Sequence, residues 1–122
     1  MLPDAGTADT PTLALVVITL NEEANIGRCL DSVSDLARQI VVVDSGSTDR
    51  TREIAEAAGA EVSTEAFRGY GPQKQLAADR AGCDWVLFLD ADEWLDDEAR
   101  NAVEAALRAG PREGVTGFRL RM

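Results

Sequence analysis

Residues 40–51 read IVVVDSGSTDRT, and this stretch decides the fold. Ile40–Val43 is an uninterrupted β-branched run, the pattern of a strand buried on both faces between layers of helix. Asp44 ends the strand. Ser45-Gly46-Ser47-Thr48-Asp49 is a turn rich in helix-capping residue types. Thr51–Ala58 then reads as a helix, which Gly59 stops. The same strand–turn–helix unit recurs on both sides. Upstream, Leu13–Thr19 (LALVVIT) is an apolar strand, Asn21 reads as an N-cap, Glu22 and Glu23 suit a first helical turn, and Ile26, Leu30 and Val33 form one buried stripe. Downstream, Ala60–Ser63 is a short strand, Phe67–Pro72 (FRGYGP) a loop, and Gln73–Ala81 a helix with Leu76, Ala77 and Ala81 inward. Trp85–Leu89 (WVLFL) is a fourth buried strand, Asp96 caps a helix with Ala99, Val103, Ala106 and Leu107 inward, Gly110-Pro111 ends it, and Val115–Leu120 is a fifth strand. Met1–Thr12, with two prolines and small polar residues, reads as a flexible lead-in. Strands alternating with helices mean a parallel sheet covered by helices, joined by right-handed crossovers.

The chain has 122 residues, enough for one domain with its own core. It contains no histidine, which excludes Ser-His-Asp and Cys-His catalysis within it and removes the usual histidine ligands of zinc. Acid–base or metal chemistry falls to carboxylates, lysine, hydroxyls and backbone. With 22 acidic and 12 basic side chains the net charge is −10, which argues against nucleic acid as a partner. Cys29 and Cys83 show no CxxC spacing and read as core residues of a reducing compartment. Residues 1–12 lack the charged and apolar regions of a signal peptide, and the run 13–18 is too short to span a bilayer.

Ligands of such sheets bind beyond the carboxyl ends of the strands, where three polar clusters fall: Thr19–Glu22, Asp44–Asp49 and Asp90–Glu93. Asp90-Ala91-Asp92 places two carboxylates one residue apart directly after a buried strand. They repel each other unless a cation or hydrogen-bond donors intervene. Mg2+ or Mn2+ takes oxygen ligands, often one or two carboxylates together with substrate phosphates. The plainer reading is a pair of loop or capping residues, although Asp96 serves as the cap. Asp44 is placed to accept N–H bonds from a base or to bond a ribose hydroxyl, and Gly46 to let backbone approach a ligand closely. Neither GxGxxG nor GK[ST] occurs, so this is not a dinucleotide fingerprint or a Walker loop. Asn21 and Glu22 are equally readable as caps. Lys74 reads either as a solvated lysine or as a positive charge facing a diphosphate. Trp94 is the aromatic residue closest to the acidic cluster.

Taken together, VVITLNEEANI, VVVDSGSTDRT and DWVLFLDADEW, in that order, resemble the family 2 glycosyltransferases of the GT-A fold, over Leu13 to about Leu120. The stretch FRGYGPQKQLAADRAGCDWVLFLDADE is similar, more narrowly, to bacterial enzymes that build the lipopolysaccharide core or related envelope glycans. The resemblance implies a Rossmann-like three-layer α/β/α sandwich with a mostly parallel sheet, in which 13–122 is the nucleotide-sugar-binding part. It implies that Thr19, Asn21 and Glu22 line the nucleotide pocket, with Ser45 and Gly46 beside them. Asp44 would bond the base, usually uracil, Lys74 would lie near base or diphosphate, and Asp90 would contact the ribose. Asp92, with Asp90 as the weaker ligand, would hold Mg2+ or Mn2+. The implied reaction is inverting transfer of a sugar from a nucleotide diphosphate sugar, UDP-linked, to an envelope glycan or lipid-linked acceptor. Ser45 stands where many members carry a second acidic residue, and Gln75 where they carry asparagine. The general base and acceptor site are expected in a segment beyond Met122, so no catalytic residue is assigned here. Membrane association would be peripheral, through that further part, at the inner face of the membrane of the cytoplasm. A binding module without turnover is the alternative. A phosphatase of the DxDx[TV] type is disfavoured because Trp94 stands at the last position, and a phospho-acceptor receiver because the order of its acidic residues and lysine does not fit.

Overall fold

The computed structural model of the chain describes residues 11–109 and 117–118. Its elements follow the expected alternation: β1 (Leu13–Thr19), α1 (Ile26–Asp31), β2 (Gln39–Asp44), α2 (Thr51–Ala57), β3 (Glu61–Thr64), α3 (Tyr70–Asp79), β4 (Trp85–Asp90), α4 (Asp97–Ala109) and β5 (Gly117–Phe118). The strands form one sheet in the order β3-β2-β1-β4-β5. Every pairing among the described residues is parallel, so the expected α/β fold holds.

Alternate residues of the strands feed two cores. Leu13, Leu15, Val17, Val42, Leu87 and Leu89 face α1, α2 and α4, where they meet Ile26, Cys29, Leu30, Ala55, Val103 and Leu107. Val16, Val41 and Val43 face the opposite way, against Ala77 of α3. This double burial explains the unbroken apolar runs of β1 and β2. The chain moves outward from β1 to β2 to β3 and then reverses across β1 to reach β4. With crossovers of constant hand, reversal sends α3 to the other face of the sheet.

The helix α4 and the helix α3 pack on different faces of the sheet. From β4 to β5 the strand order continues in the direction it took from β3 to β4. The segment before α4 is tied to the far end of α1: the Leu95 N–H donates to Ser32 Oγ (3.0 Å), and Arg100 reaches Ser32 O (2.8 Å) and Asp35. The helix therefore starts on the side where α1 lies.

Four local expectations need correction. Asn21 is not an N-cap, because α1 begins at Ile26 and Asn25 is its capping position. Glu22 and Glu23 precede the helix. The loop expected over Phe67–Pro72 is shorter, since α3 begins at Tyr70. Pro72 then falls in the first turn, where its missing N–H costs nothing. Thr12, the last residue of the expected lead-in, is anchored. It donates its N–H to Asp84 Oδ2 (3.0 Å), and the Asp84 N–H returns to Thr12 Oγ1 (3.0 Å). Residues 1–10 of that lead-in, the stop at Gly110-Pro111 and the outer residues of the fifth strand lie outside the described residues. Among the described residues no helix is long and apolar enough to cross a membrane.

Candidate functional site

Register brings the three motifs to one edge. Thr19 pairs with Asp44 across β1 and β2, and Ile18 pairs with Asp90 across β1 and β4. The chain reverses direction at the β1–β4 boundary, the topological switch point at which open α/β sheets open a crevice. A cleft of about 580 Å³ lies there. Its polar lining is Thr19, Glu22, Ser45, Lys74, Asp90 and Asp92, and its apolar lining is Ile18, Leu20, Phe67, Tyr70 and Ala91. Six of the nine expected site residues thus meet in one place. Asn21, Asp44 and Gly46 do not line the cleft.

These three build the edge instead. Asp44 is fully buried. Its Oδ2 accepts the N–H groups of Gly46 (2.9 Å) and Ser47 (2.7 Å), its Oδ1 accepts the Ser47 hydroxyl, and the Arg52 guanidinium lies 3.8 Å away. Both carboxylate oxygens are used inside the turn, which gives Asp44 a holding role at this edge. Gly46 has φ of +108°, with no heavy atom near the position its Cβ would take. The turn conformation requires glycine there. Asn21 adopts φ of +52°, a region asparagine tolerates better than most residues. It gives its N–H to Ser47 Oγ (2.8 Å) and accepts the Thr48 N–H on Oδ1 (2.8 Å). Alongside, the Glu22 N–H donates to Thr51 Oγ1 (2.8 Å), whose hydroxyl donates to Asp49 Oδ1. Two parallel relays, each a carboxylate taking a hydroxyl that takes a backbone N–H, stitch the loop after β1 to the turn after β2.

The acidic turn is held from beneath by α1. Glu93 closes it, with its N–H on Asp90 O (2.9 Å) and its Oε1 accepting the Asp90 N–H (2.8 Å). The Cys29 thiol reaches Asp90 O (3.6 Å), and the Arg28 guanidinium covers Trp94, 3.7 Å from the ring centroid. Trp94 is thus engaged with α1 and does not line the cleft. Burial pushes the Cys29 thiol up to about 12, and the negative charges of Glu93, Asp90, Asp92 and Glu22 push it the same way.

A cation fits this edge in one manner. Among the described residues no three acidic or thiol side chains converge to enclose a metal. Asp92 is exposed at the cleft, with Asp90 behind it at the strand end. That donor set suits a hard cation bound through one or two carboxylates and completed by ligand oxygens and water. The lining also carries three carboxylates and one lysine, a formal 1 − 3 = −2, which would repel a diphosphate without a cation.

Sequence reasoning missed Gln73, Ser47, Thr51 and Glu93 as parts of the site. Gln73 is fully buried, accepts the Arg68 N–H on Oε1 (3.3 Å) and donates from Nε2 to Ser45 Oγ (3.4 Å). Its only sequence signal is its i, i+4 spacing to inward-facing Ala77. Thr19 Oγ1, also buried, finds no hydrogen-bond partner among the described residues.

The family model for Glycosyl transferase family 2 matches residues 14–121. An uncharacterized glycosyltransferase of Rickettsia bellii is 35% identical over 113 residues, covering 93% of this chain and 38% of that protein. The lipopolysaccharide core biosynthesis glycosyltransferase LpsC of Rhizobium meliloti is 38% identical, covering 88% and 41% respectively. Among solved structures, glucosyl-3-phosphoglycerate synthase from Mycobacterium tuberculosis, in complex with Mn2+, UDP and glucosyl-3-phosphoglycerate, matches with a TM-score of 0.57 and 34% identity, over 70% of this chain and 35% of that one. The chain spans well under half the length of each of these proteins.

Proposed function

The chain belongs to glycosyl transferase family 2, and from that premise we propose that residues 13–122 form the donor-binding part of an enzyme that transfers a sugar from a uridine diphosphate sugar. One observation carries the proposal. Six side chains from separate motifs line a single cleft at the strand-switch edge, carboxylates toward β4 and α1, Ser45 and Lys74 toward β2 and α3.

In this reading Asp92 holds Mg2+ or Mn2+, with Asp90 as the weaker ligand and as partner to the ribose. The bound cation supplies charge compensation for the departing nucleoside diphosphate. Lys74 adds a second positive charge near the diphosphate or the base edge. Glu22 and Ser45 bond the nucleoside, and the unsatisfied Thr19 hydroxyl offers a further polar contact. Asn21, Asp44 and Gly46 act as positioning residues. An acceptor hydroxyl attacks the anomeric carbon in line, the bond to the diphosphate breaks, and configuration inverts. No described residue is assigned the base that takes the hydroxyl proton. The acceptor class is an envelope glycan or a lipid-linked sugar, reached from the cytoplasmic face of the membrane. The LpsC relative supports that class, and the Mn2+–UDP complex of the mycobacterial enzyme supports the donor and cation.

Calorimetric titration tests this. UDP should bind in Mn2+ or Mg2+ and lose most of its affinity when the cation is chelated. Asp92→Ala should bring about the same loss while the melting temperature stays put, since Asp92 is exposed. Tight binding that ignores the cation would overturn the metal role.

A further inference from the structure

We propose that Glu93 is a positioning residue, whose carboxylate fixes the backbone of Asp90 and thereby the angle at which Asp90 and Asp92 meet a divalent cation. The inference rests on the donor-site reading above and adds to it a side chain outside the cleft lining.

The turn after β4 is closed by one residue. The Glu93 N–H donates to Asp90 O (2.9 Å), and Glu93 Oε1 accepts the Asp90 N–H (2.8 Å). Both backbone groups of Asp90 are thus held from the same side. Between the two aspartates Ala91 packs into the core, 4% exposed, while Asp90 and Asp92 line the cleft. Glu93 is the fixed end of this turn. Trp94, the next residue, lies under the Arg28 guanidinium. Leu95 is buried and donates its N–H to Ser32 Oγ (3.0 Å). The backbone of Asp90 therefore hangs from a segment fastened to α1.

A glutamate reaching back three residues to a backbone N–H is the device that opens many helices. No helix opens at Glu93. The next one, α4, starts at Asp97, and Asp96 caps it, with Oδ1 accepting the Ala99 N–H (2.8 Å). Helix capping thus leaves the Glu93 bond unexplained, and a third negative charge beside Asp90 and Asp92 adds repulsion. What glutamate contributes is reach. Two methylenes carry an acceptor oxygen back to the Asp90 N–H. Reach and charge are separable by substitution. Glutamine keeps the length and an acceptor oxygen without the charge, whereas aspartate keeps the charge on a stem one methylene shorter.

Mn2+ binding in saturating UDP, read by electron paramagnetic resonance, tests this on two variants. Glu93→Asp should weaken Mn2+ about tenfold, the lower end of what losing a group that orients a metal ligand costs. Glu93→Gln should bind Mn2+ close to the parental affinity. The line shape of the bound ion, which reports its ligand geometry, should change in Glu93→Asp and match the parent in Glu93→Gln. A purely structural bond would leave that line shape unmoved. Parental affinity in both variants, whatever their melting temperatures, would overturn the positioning role and leave the donor site standing. Equal losses in both, or a loss confined to Glu93→Gln, would overturn it too, because charge would then be the contribution. The Glu93→Gln arm decides alone if Glu93→Asp does not fold: retained affinity supports reach, and lost affinity overturns it. Failure of the unaltered protein to bind Mn2+ with UDP would overturn the donor reading and this inference together.

Discussion

At the scale of single residues, the site separates side chains that line the cleft from side chains that hold them. Asp44 ends β2 and Asp92 lies two residues past the end of β4, and each follows an apolar run. Asp44 is sealed in its own turn with four partners, whereas Asp92 stands open at the cleft. The difference is testable. Asp44→Asn exchanges an acceptor-only group, charged and buried, for one with two unwanted donors. It should destabilise the protein by about 1–3 kcal/mol in urea denaturation, as expected for a buried hydrogen-bond network left partly unsatisfied. A base-contacting Asp44 would instead lose nucleotide affinity at unchanged stability. Gln73 shows the limit of reading polar residues as solvent-facing. Its amide is legible only once α3 is laid on the sheet with Ala77 inward.

At the scale of elements, α1 is short but supports the whole acidic turn. Ile26, Cys29 and Leu30 bury one face against the sheet, as their spacing predicts. Arg28, Cys29 and Ser32 reach over to Trp94, Asp90 and Leu95. Cys29 reports this position. With its thiol pushed up to about 12, it stays protonated and poorly nucleophilic near neutral pH. Iodoacetamide at pH 8 should therefore leave Cys29 unmodified in the folded protein and reach it only in denaturant, as peptide mass mapping would reveal. Rapid modification of native Cys29 would contradict the packing. The helix–turn units were readable from capping types and periodicity, down to the first turns of α2 and α4, but the first turns of α1 and α3 were not. Asn21 looked like a cap because asparagine is a good one. In the folded chain its side chain is drawn to Thr48, in a loop that only the sheet brings near.

At the scale of the whole molecule, ion pairs join segments far apart in the chain. Hydrogen bonding to Arg80 holds Glu65 below its usual value of 4.5, and Arg100 does the same to Asp35 below its usual 3.8. A depressed folded value means stability that is present above the unfolded value and lost as pH falls through the folded one. The urea midpoint should therefore drop as pH is lowered from 7 through 4.5 and below. Glu65→Gln should flatten that drop, and a variant difference that stays constant between pH 7 and pH 3.5 would contradict the assignment. Both pairs are well solvated, so the effect should be modest and reduced by salt. The charge of −10 is spread over helix surfaces, yet three of its carboxylates share one cleft with a single lysine.

Apolar runs of four to seven residues and the capping types between them determined the α/β alternation, because burial on both faces leaves no polar position in a strand. They also determined that three polar clusters end on one edge, because parallel strands all point the same way. The motifs were specific enough to indicate the family before any coordinates. Tertiary structure alone decided which members of each cluster line the cleft. Strand register and the reversal at β1 bring Asn21 to Thr48 and leave Asp92 open, whereas Asp44 is sealed by its own turn. Tertiary structure also decided the face on which α4 lies and the joining of Gln73 to Ser45. These depend on contacts between residues distant in sequence, which no local pattern encodes.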